Sequence, residues 1–347
     1  MTMSKLTQII APDTVTPLSA SYITHAAVGV IQREDGQVLL AERPLGKAWA
    51  GYWEFPGGKI EDNETPEQAL KRELEEELGI TVTSSYPWLT RSFDYPEKYD
   101  IAGKLETPAK TVKLHFFIVT KWIGEPLGLE NQAISWQRPE KLSVSPMLPA
   151  NAPILKALSL TTTYAITNLS ELGEVLFFKR LKVALDNGLR MIQVREKQLP
   201  VGDFRLFIER VIKMAAPYKA RIFVNSDSPY LELSLADELN IAGIHFTAQD
   251  LMKLQVKPEG LLSGASCHNS QELTKAEALG LDYVMLSPVY ATLSHLDVNP
   301  LGWDKFSELI AEYSLPVYAL GGMQNTHLHT ARLHGAHGIA MLRGIWC

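Results

Sequence analysis

Eight short apolar runs alternating with helix-length amphipathic segments constrain this chain more than any other feature. They are TYAIT from Thr163, RMIQV from Arg190, RIFVN from Arg221, AGIHF from Ala242, LLSGAS from Leu261, YVMLSP from Tyr283, PVYAL from Pro316 and HGIAML from His337. Short, almost wholly apolar runs are the mark of strands covered on both faces, and helices between them make the strands parallel. Eight units favour a closed barrel over an open sheet. The stretch has about 185 residues, compact for a (β/α)8, or TIM, barrel.

The N-terminal half follows another pattern. From Ile23, ITHAAVGVIQREDGQVLLAERP places two strand-like runs around a turn at Glu34, Asp35 and Gly36, which predicts a hairpin. TVKLHFFIVTKWIG from Thr111 and AISWQRPEKL from Ala133 predict further strand and turn, residues 95–111 a long loop, and MLPANAPILKALSL from Met147 a loop entering a closing helix. A two-domain α/β chain is expected, divided near residues 158–162 into 20–160 and 161–347, although no Gly/Ser linker marks the boundary.

Composition narrows the function. The formal net charge of −6 gives no general electrostatic reason to track a nucleic-acid backbone or an anionic membrane, so small charged ligands are the expected partners. Cys267 and Cys347 are the two cysteines, too few for a disulfide framework or a zinc site. No apolar run reaches the ~18 residues that span a bilayer, and no N-terminal segment has signal-peptide form. The cytoplasm is the expected compartment.

The chemistry concentrates in GGKIEDNETPEQALKRELEEELGI, from Gly57, where six carboxylates and one arginine lie between Glu64 and Glu77. Thr65 as N-cap, Pro66 at the first helical position, Gln68 closing a capping box and Gly79 as C-terminal glycine predict a helix over 66–78. Leu70, Leu74 and Leu78 form its buried stripe, and Glu73, Glu76 and Glu77 gather on an adjoining flank. Spacings of three and four residues make one carboxylate patch, which suits a hard divalent cation such as Mg2+ that also binds phosphates. A solvated acidic face is the ordinary explanation of a Glu-rich helix. The preceding glycines, which allow close approach of a ligand, argue for more than that.

The segment from Gly58 through Glu64 to Arg72-Glu73-Leu74-Glu75-Glu76-Glu77-Leu78-Gly79-Ile80 resembles the Nudix box at every fixed position. AVGVI, WEFPGGKIE, ETPEQAL and GEPLG further resemble MutT-type 8-oxo-dGTP diphosphatases, enzymes of nucleotide-pool sanitation and hence of DNA repair. The resemblance implies an α/β/α sandwich with a mixed sheet. It implies Mg2+, with Mn2+ as a substitute, held by Glu73, Glu76, Glu77, Glu130 and Gly57. Arg72 would orient a glutamate, Gly58 shape the loop, and Arg43 and Lys59 meet substrate. Asn151 would read the oxidised purine, since an amide both donates and accepts. Glu73, Arg72, Glu76 and Glu130 are then the catalytic candidates, a carboxylate taking the proton of an attacking water.

The C-terminal half resembles thiamin phosphate synthase and its thiazole tautomerase relatives in IQVREK, FVNS, GIHFTAQDL, GASCHN, LSPVYAT, ALGGM and GIAMLRGI. By that resemblance Gln193, Arg195, Lys197, Asn225, Asp250, Ser266 and Thr292 would bind a pyrimidine diphosphate and its Mg2+, with Asp250 on the metal. Gly321 and Gly322 would offer N–H groups to a phosphate, and a thiazole phosphate is the other candidate ligand. Three positions depart: Ser226 replaces a metal-binding aspartate, His295 a lysine, and Arg343 a small residue near the phosphate. Losing such charges weakens a condensation that expels pyrophosphate. His268 matches the tautomerase's catalytic histidine, and proton transfer asks only for an imidazole. Three expectations follow: a nucleotide pyrophosphohydrolase carrying a thiamin-type barrel, a bifunctional thiamin-metabolism enzyme, or a hydrolase with a non-catalytic ligand-binding barrel.

Overall fold

The computed structural model describes residues 23–99, 102–107, 109–228, 238–292 and 299–347; His295 lies outside the described residues. The N-terminal domain is built from β1 (Thr24–Ile31), β2 (Val38–Glu42), β3 (Trp53–Glu54), β4 (Gly57–Lys59), α1 (Pro66–Leu78), β5 (Thr81–Tyr95), the short β6 (Lys98–Tyr99) and β7 (Leu105–Thr107), β8 (Lys110–Ile123), β9 (Ile134–Gln137) and α2 (Ala152–Leu158). The main sheet has the order β4-β1-β8-β5 and is mixed, β1 lying parallel to β8 and antiparallel to β4. A second sheet has the order β3-β2-β9.

Alternation along β1 sends Ala27 and Ile31 toward α1, where they meet Leu70, Leu74 and Leu78. Val28 and Val30 face the other way, toward Ile154 and Ala157 of α2. Each α1 leucine is 0% exposed, and burying one stabilises by about 1.5–3 kcal/mol. A helix on each face of a mixed sheet is the expected α/β/α sandwich.

The hairpin predicted for residues 23–44 forms only at its turn. Arg33 N–H donates to Gln37 O at 2.9 Å and Gln32 bridges Val38, but β2 then leaves for the other sheet. Both edges of β1 are already taken, by β4 and β8, so β2 has no edge there to pair with. Among the described residues of 95–111, β6 pairs with β7, and β5 and β8 extend into the stretch, where a loop was expected.

The eight apolar runs are strands β10 (Thr163–Ile166), β11 (Met191–Val194), β12 (Arg221–Asn225), β13 (Gly243–Phe246), β14 (Leu262–Cys267), β15 (Tyr283–Leu286), β16 (Val317–Ala319) and β17 (Gly338–Met341). They close in sequence order, β17 pairing back onto β10 in parallel. The interior is filled with large side chains, among them Tyr164, Met191, Phe223, Tyr283 and Tyr318. Their hydroxyls are paired, Tyr164 to Tyr283 at 2.9 Å and Tyr318 to Thr161 O at 2.5 Å, so the barrel is a packed core and not a pore.

The edge strand β5 docks the sandwich onto the N-terminal ends of the barrel strands. Thr90 N–H donates to Tyr313 O at 3.1 Å, an Arg91 N–H to Ser314 O at 2.9 Å, and the Trp88 indole to Nδ1 of His337 at 3.2 Å. Lys113 pairs with Glu312 at 2.5 Å. Among the described residues no helix is long and apolar enough to cross a membrane.

Candidate active sites

The caps of α1 form as its sequence dictates. Gln68 N–H donates to Thr65 Oγ1 at 3.2 Å, Thr65 N–H to Gln68 Oε1 at 2.8 Å, and Gly79 closes the helix at φ 66°. The capped helix fixes the azimuth of every acid on it. Arg72 then acts as a fork among them. Its Nε and Nη2 donate to the two oxygens of Glu64 at 2.9 Å each, Nη2 to Lys59 O at 3.0 Å, and Nη1 to Glu73 at 2.9 Å and Glu76 at 3.2 Å. One guanidinium thus orients three carboxylates.

The glycine loop lies directly against them. A Cβ on Gly58 would fall 2.2 Å from the Glu73 carboxyl carbon, and one on Gly57, whose φ is 143°, would fall 2.2 Å from Ala27 O. Gly57 N–H also donates to Glu77 Oε2 at 3.2 Å. Lys59 contributes its carbonyl to Arg72, its side chain being exposed. Burial, helped by the charges of Glu73, Glu130 and Glu54 and opposed by the Gly57 N–H, pushes Glu77 up to about 7. Burial likewise raises Glu73, against the pull of Arg72. This is an acid cluster short of positive charge.

Two cations reach it from the segment between β2 and β3. Arg43 donates from Nη1 to both oxygens of Glu54 at 2.6 and 2.7 Å, and from Nε to Ala48 O at 2.7 Å, so it is a tethered group and not a loose surface cation. Lys47 Nζ contacts Glu130 Oε2 at 2.5 Å, which raises the lysine. Sequence reasoning missed both Glu54 and Lys47. The signal for Glu54 stood inside WEFPGG, whereas nothing in the order of residues links Lys47 to Glu130.

Among the described residues no three acid, histidine or cysteine side chains already converge as a metal cage. The donors nonetheless fit a hard divalent cation: carboxylate oxygens, one of them pushed up to about 7 by burial, beside a glycine cradle that a Cβ would fill. Asn151 is 4% exposed and donates from Nδ2 to Trp53 O at 3.3 Å. That bond fixes the amide plane and leaves a second N–H and Oδ1 for a ligand.

At the barrel, the predicted residues gather at the C-terminal ends of the strands. Asn225 Nδ2 donates to Gln193 Oε1 at 3.1 Å, and Ser266 Oγ meets Nε2 of the buried His245 at 2.9 Å. Gln193 Nε2 and Thr292 Oγ1 are buried without a hydrogen-bond partner among the described residues, which fits a polar ligand. Gly321 and Gly322 form a left-handed turn, at φ 102° and 68°. His268 turns Nδ1 to Glu272 at 3.0 Å, a contact that fixes its tautomer.

The departures have structural consequences. Ser226 donates to Asp250 Oδ2 at 2.6 Å and Thr247 to the same oxygen at 2.8 Å, and the Ser226 bond holds Asp250 below the usual carboxylate range. At Ser226, where the resemblance leads one to expect a carboxylate, stands a hydroxyl that donates to Asp250. Asp227, missed in the sequence, pairs with Lys197 and lies 3.7 Å from Arg195. Arg343 grips Glu171 through Nε at 2.9 and 3.0 Å.

The family profile described as NUDIX domain matches residues 23–158, and that described as Thiamine monophosphate synthase matches residues 163–345. The chain is 40% identical over 136 residues to the 8-oxo-dGTP diphosphatase of Haemophilus influenzae, covering 39% of this chain and 91% of that protein. It is 38% identical to the CTP pyrophosphohydrolase of Escherichia coli, covering 38% and 87% of the two chains. Its other half is 32% identical to the putative thiamine-phosphate synthase 2 of Aquifex aeolicus, covering 53% and 96%.

Proposed function

Because the chain belongs to the Nudix hydrolases through its N-terminal half and to the thiamine monophosphate synthase family through its C-terminal half, each half is read through its own site. We propose that the Nudix half hydrolyses 8-oxo-dGTP to 8-oxo-dGMP and pyrophosphate, with Mg2+ as cofactor. The carrying observation is the Arg72 fork, which presents Glu64, Glu73 and Glu76 as one oriented set beside the Gly58 cradle. Glu73, Glu76, Glu77 and Glu130, with the Gly57 carbonyl, would hold the cations, which when bound supply charge neutralisation for the triphosphate and acidify a water. Water attacks the β-phosphorus, the bond from it to the α–β bridging oxygen breaks so that 8-oxo-dGMP leaves and the water oxygen stays on pyrophosphate, and a carboxylate of the cluster takes the water's proton. Arg72 keeps its acids in register through the step. Arg43 faces the phosphates from the Glu54 side. The buried Asn151 amide, its plane set by Trp53 O, reads the purine edge.

The test is steady-state hydrolysis of 8-oxo-dGTP, dGTP, CTP and thiamin diphosphate by the full-length protein. Preference for 8-oxo-dGTP by orders of magnitude in kcat/KM supports the reading; preference for CTP or thiamin diphosphate sinks it, the latter in favour of a shared thiamin pathway. Glu76→Gln is expected to abolish hydrolysis with an unchanged circular dichroism spectrum, and an active variant would refute the metal assignment.

For the barrel we propose phosphate-ligand binding with proton transfer at His268, not synthase condensation. The Ser226–Asp250 bond supports this, because it puts a donor where a second metal carboxylate belongs. Calorimetry with thiazole phosphate and with pyrimidine diphosphate tests it; absence of binding by both removes the proposal.

A further inference from the structure

The segment between β2 and β3 is a built strap. Arg43 N–H donates to Tyr52 O at 2.8 Å, Gly51 N–H to Arg43 O at 2.9 Å and Lys47 N–H to Pro44 O at 3.3 Å. Gly46 at φ 91°, Trp49 at 64° and Gly51 at 81° turn the chain back on itself. The Arg43–Glu54 pair anchors the strap beside the acid cluster. Lys47 stands near its tip and reaches Glu130.

Glu130 is mounted as firmly. Its own N–H donates to Gln132 Oε1 at 2.7 Å, Gln132 Nε2 donates to Glu77 O at 3.0 Å, and Leu129 N–H to the same carbonyl at 3.0 Å. The loop carrying Glu130 is thus stitched to the C-terminal turn of α1, next to Glu77. A carboxylate held there, among acids that repel it, has Lys47 as a counter-charge across the cluster.

We propose that Lys47 is a positioning residue that latches Glu130 and competes with the divalent cation for it, so that the latch sets the cation concentration at which the site fills. The inference rests on the reading of Glu130 as a cation ligand. Two properties make the latch releasable. The pair is exposed, at 49% for the lysine and 43% for the glutamate side chain, and exposed pairs are weak. An ammonium is also a compact, strongly hydrated charge that returns readily to water. A divalent ion brings twice the charge to the same oxygen and displaces it. Arg43, locked by two bonds onto Glu54, has no such freedom.

The experiment titrates Mn2+ into the full-length protein without nucleotide and reads free Mn2+ by electron paramagnetic resonance. Lys47→Ala is expected to tighten Mn2+ binding by about three- to fivefold, the size of effect an exposed ion pair supports. Lys47→Arg keeps the charge on a less hydrated, forked head and should bind Mn2+ no more tightly than wild type. In a Glu130→Gln background, Lys47→Ala should change nothing further. Unchanged or weakened binding in Lys47→Ala overturns the latch, as does the same tightening in the Glu130→Gln background. If the wild-type protein hydrolyses no nucleoside triphosphate, the proposed activity fails, and the Mn2+ titration still decides the latch.

Discussion

Glu77 shows what the cluster costs in the absence of a cation. Its ordinary pKa in an unfolded chain is near 4.3, and in the fold burial and neighbouring acids push it up to about 7. Between those values the folded protein holds a proton that the unfolded chain has released, so stability falls as pH rises through the window. Above it the fold carries a half-buried charge with one N–H for company. Glu77→Gln should therefore stabilise the protein in EDTA at pH 8 by on the order of 2 kcal/mol and change little near pH 4.5. Urea unfolding at the two pH values checks this. An equal gain at both would mean that Glu77 does not titrate as described. The residues that sequence reasoning missed share one property: Lys47, Glu54 and Asp227 acquire meaning from partners that the fold brings to them, at Glu130, Arg43 and Lys197.

At the scale of elements, α1 was legible because each of its boundary residues makes its own local bond. Thr65, Gln68 and Gly79 need nothing from the rest of the molecule to start and stop a helix. Thr65→Ala should cost about 1 kcal/mol of stability while kcat is kept, because the acids ride on later turns; a large fall in kcat would show that the first turn itself sets the carboxylates. The eight barrel strands were legible for a related reason, each being covered on both faces and so mostly apolar, with polar residues such as Gln193, Asn225 and Ser266 among them. β5 was not. It is a 15-residue strand with polar residues throughout, Pro87 inside it and a register shift between Pro87 and Thr90. Its pattern answers to the barrel as well as to its own sheet, since Trp88, Thr90 and Arg91 are spent on the domain contact. The failed hairpin has the same origin, in a competition for the edges of β1 that no local pattern records.

Across the whole molecule, the contact between domains uses the N-terminal ends of the barrel strands, through Tyr313, Ser314 and His337, whereas the barrel's candidate residues follow the C-terminal ends. In the sandwich the contact lies at β5, the edge of the sheet opposite β4 and its glycine loop. Both sets of candidate residues thus lie away from the contact between domains, which argues against direct transfer of a product between them. His268→Ala should accordingly leave nucleotide hydrolysis within about twofold of wild type; a larger change would demonstrate coupling through the interface. The interface itself carries a titrating group. His337 accepts the Trp88 N–H at Nδ1, so its own N–H lies on Nε2 and points to Leu160 O at 3.0 Å. Burial lowers it to about 4, with Arg332 and Arg221 adding to the effect and the Leu160 carbonyl opposing it. Protonation would set a second N–H against the indole N–H. An unfolded histidine takes its proton near pH 6.5 and the folded one only near 4, so stability is lost as pH falls through that window, by up to about 3 kcal/mol. His337→Gln keeps an acceptor for Trp88 and removes the proton, and it should flatten the acid limb of the stability curve measured by urea unfolding between pH 7 and pH 4.5. An acid limb as steep in the variant as in the wild type would move the cause away from the domain contact, to carboxylates elsewhere in the chain.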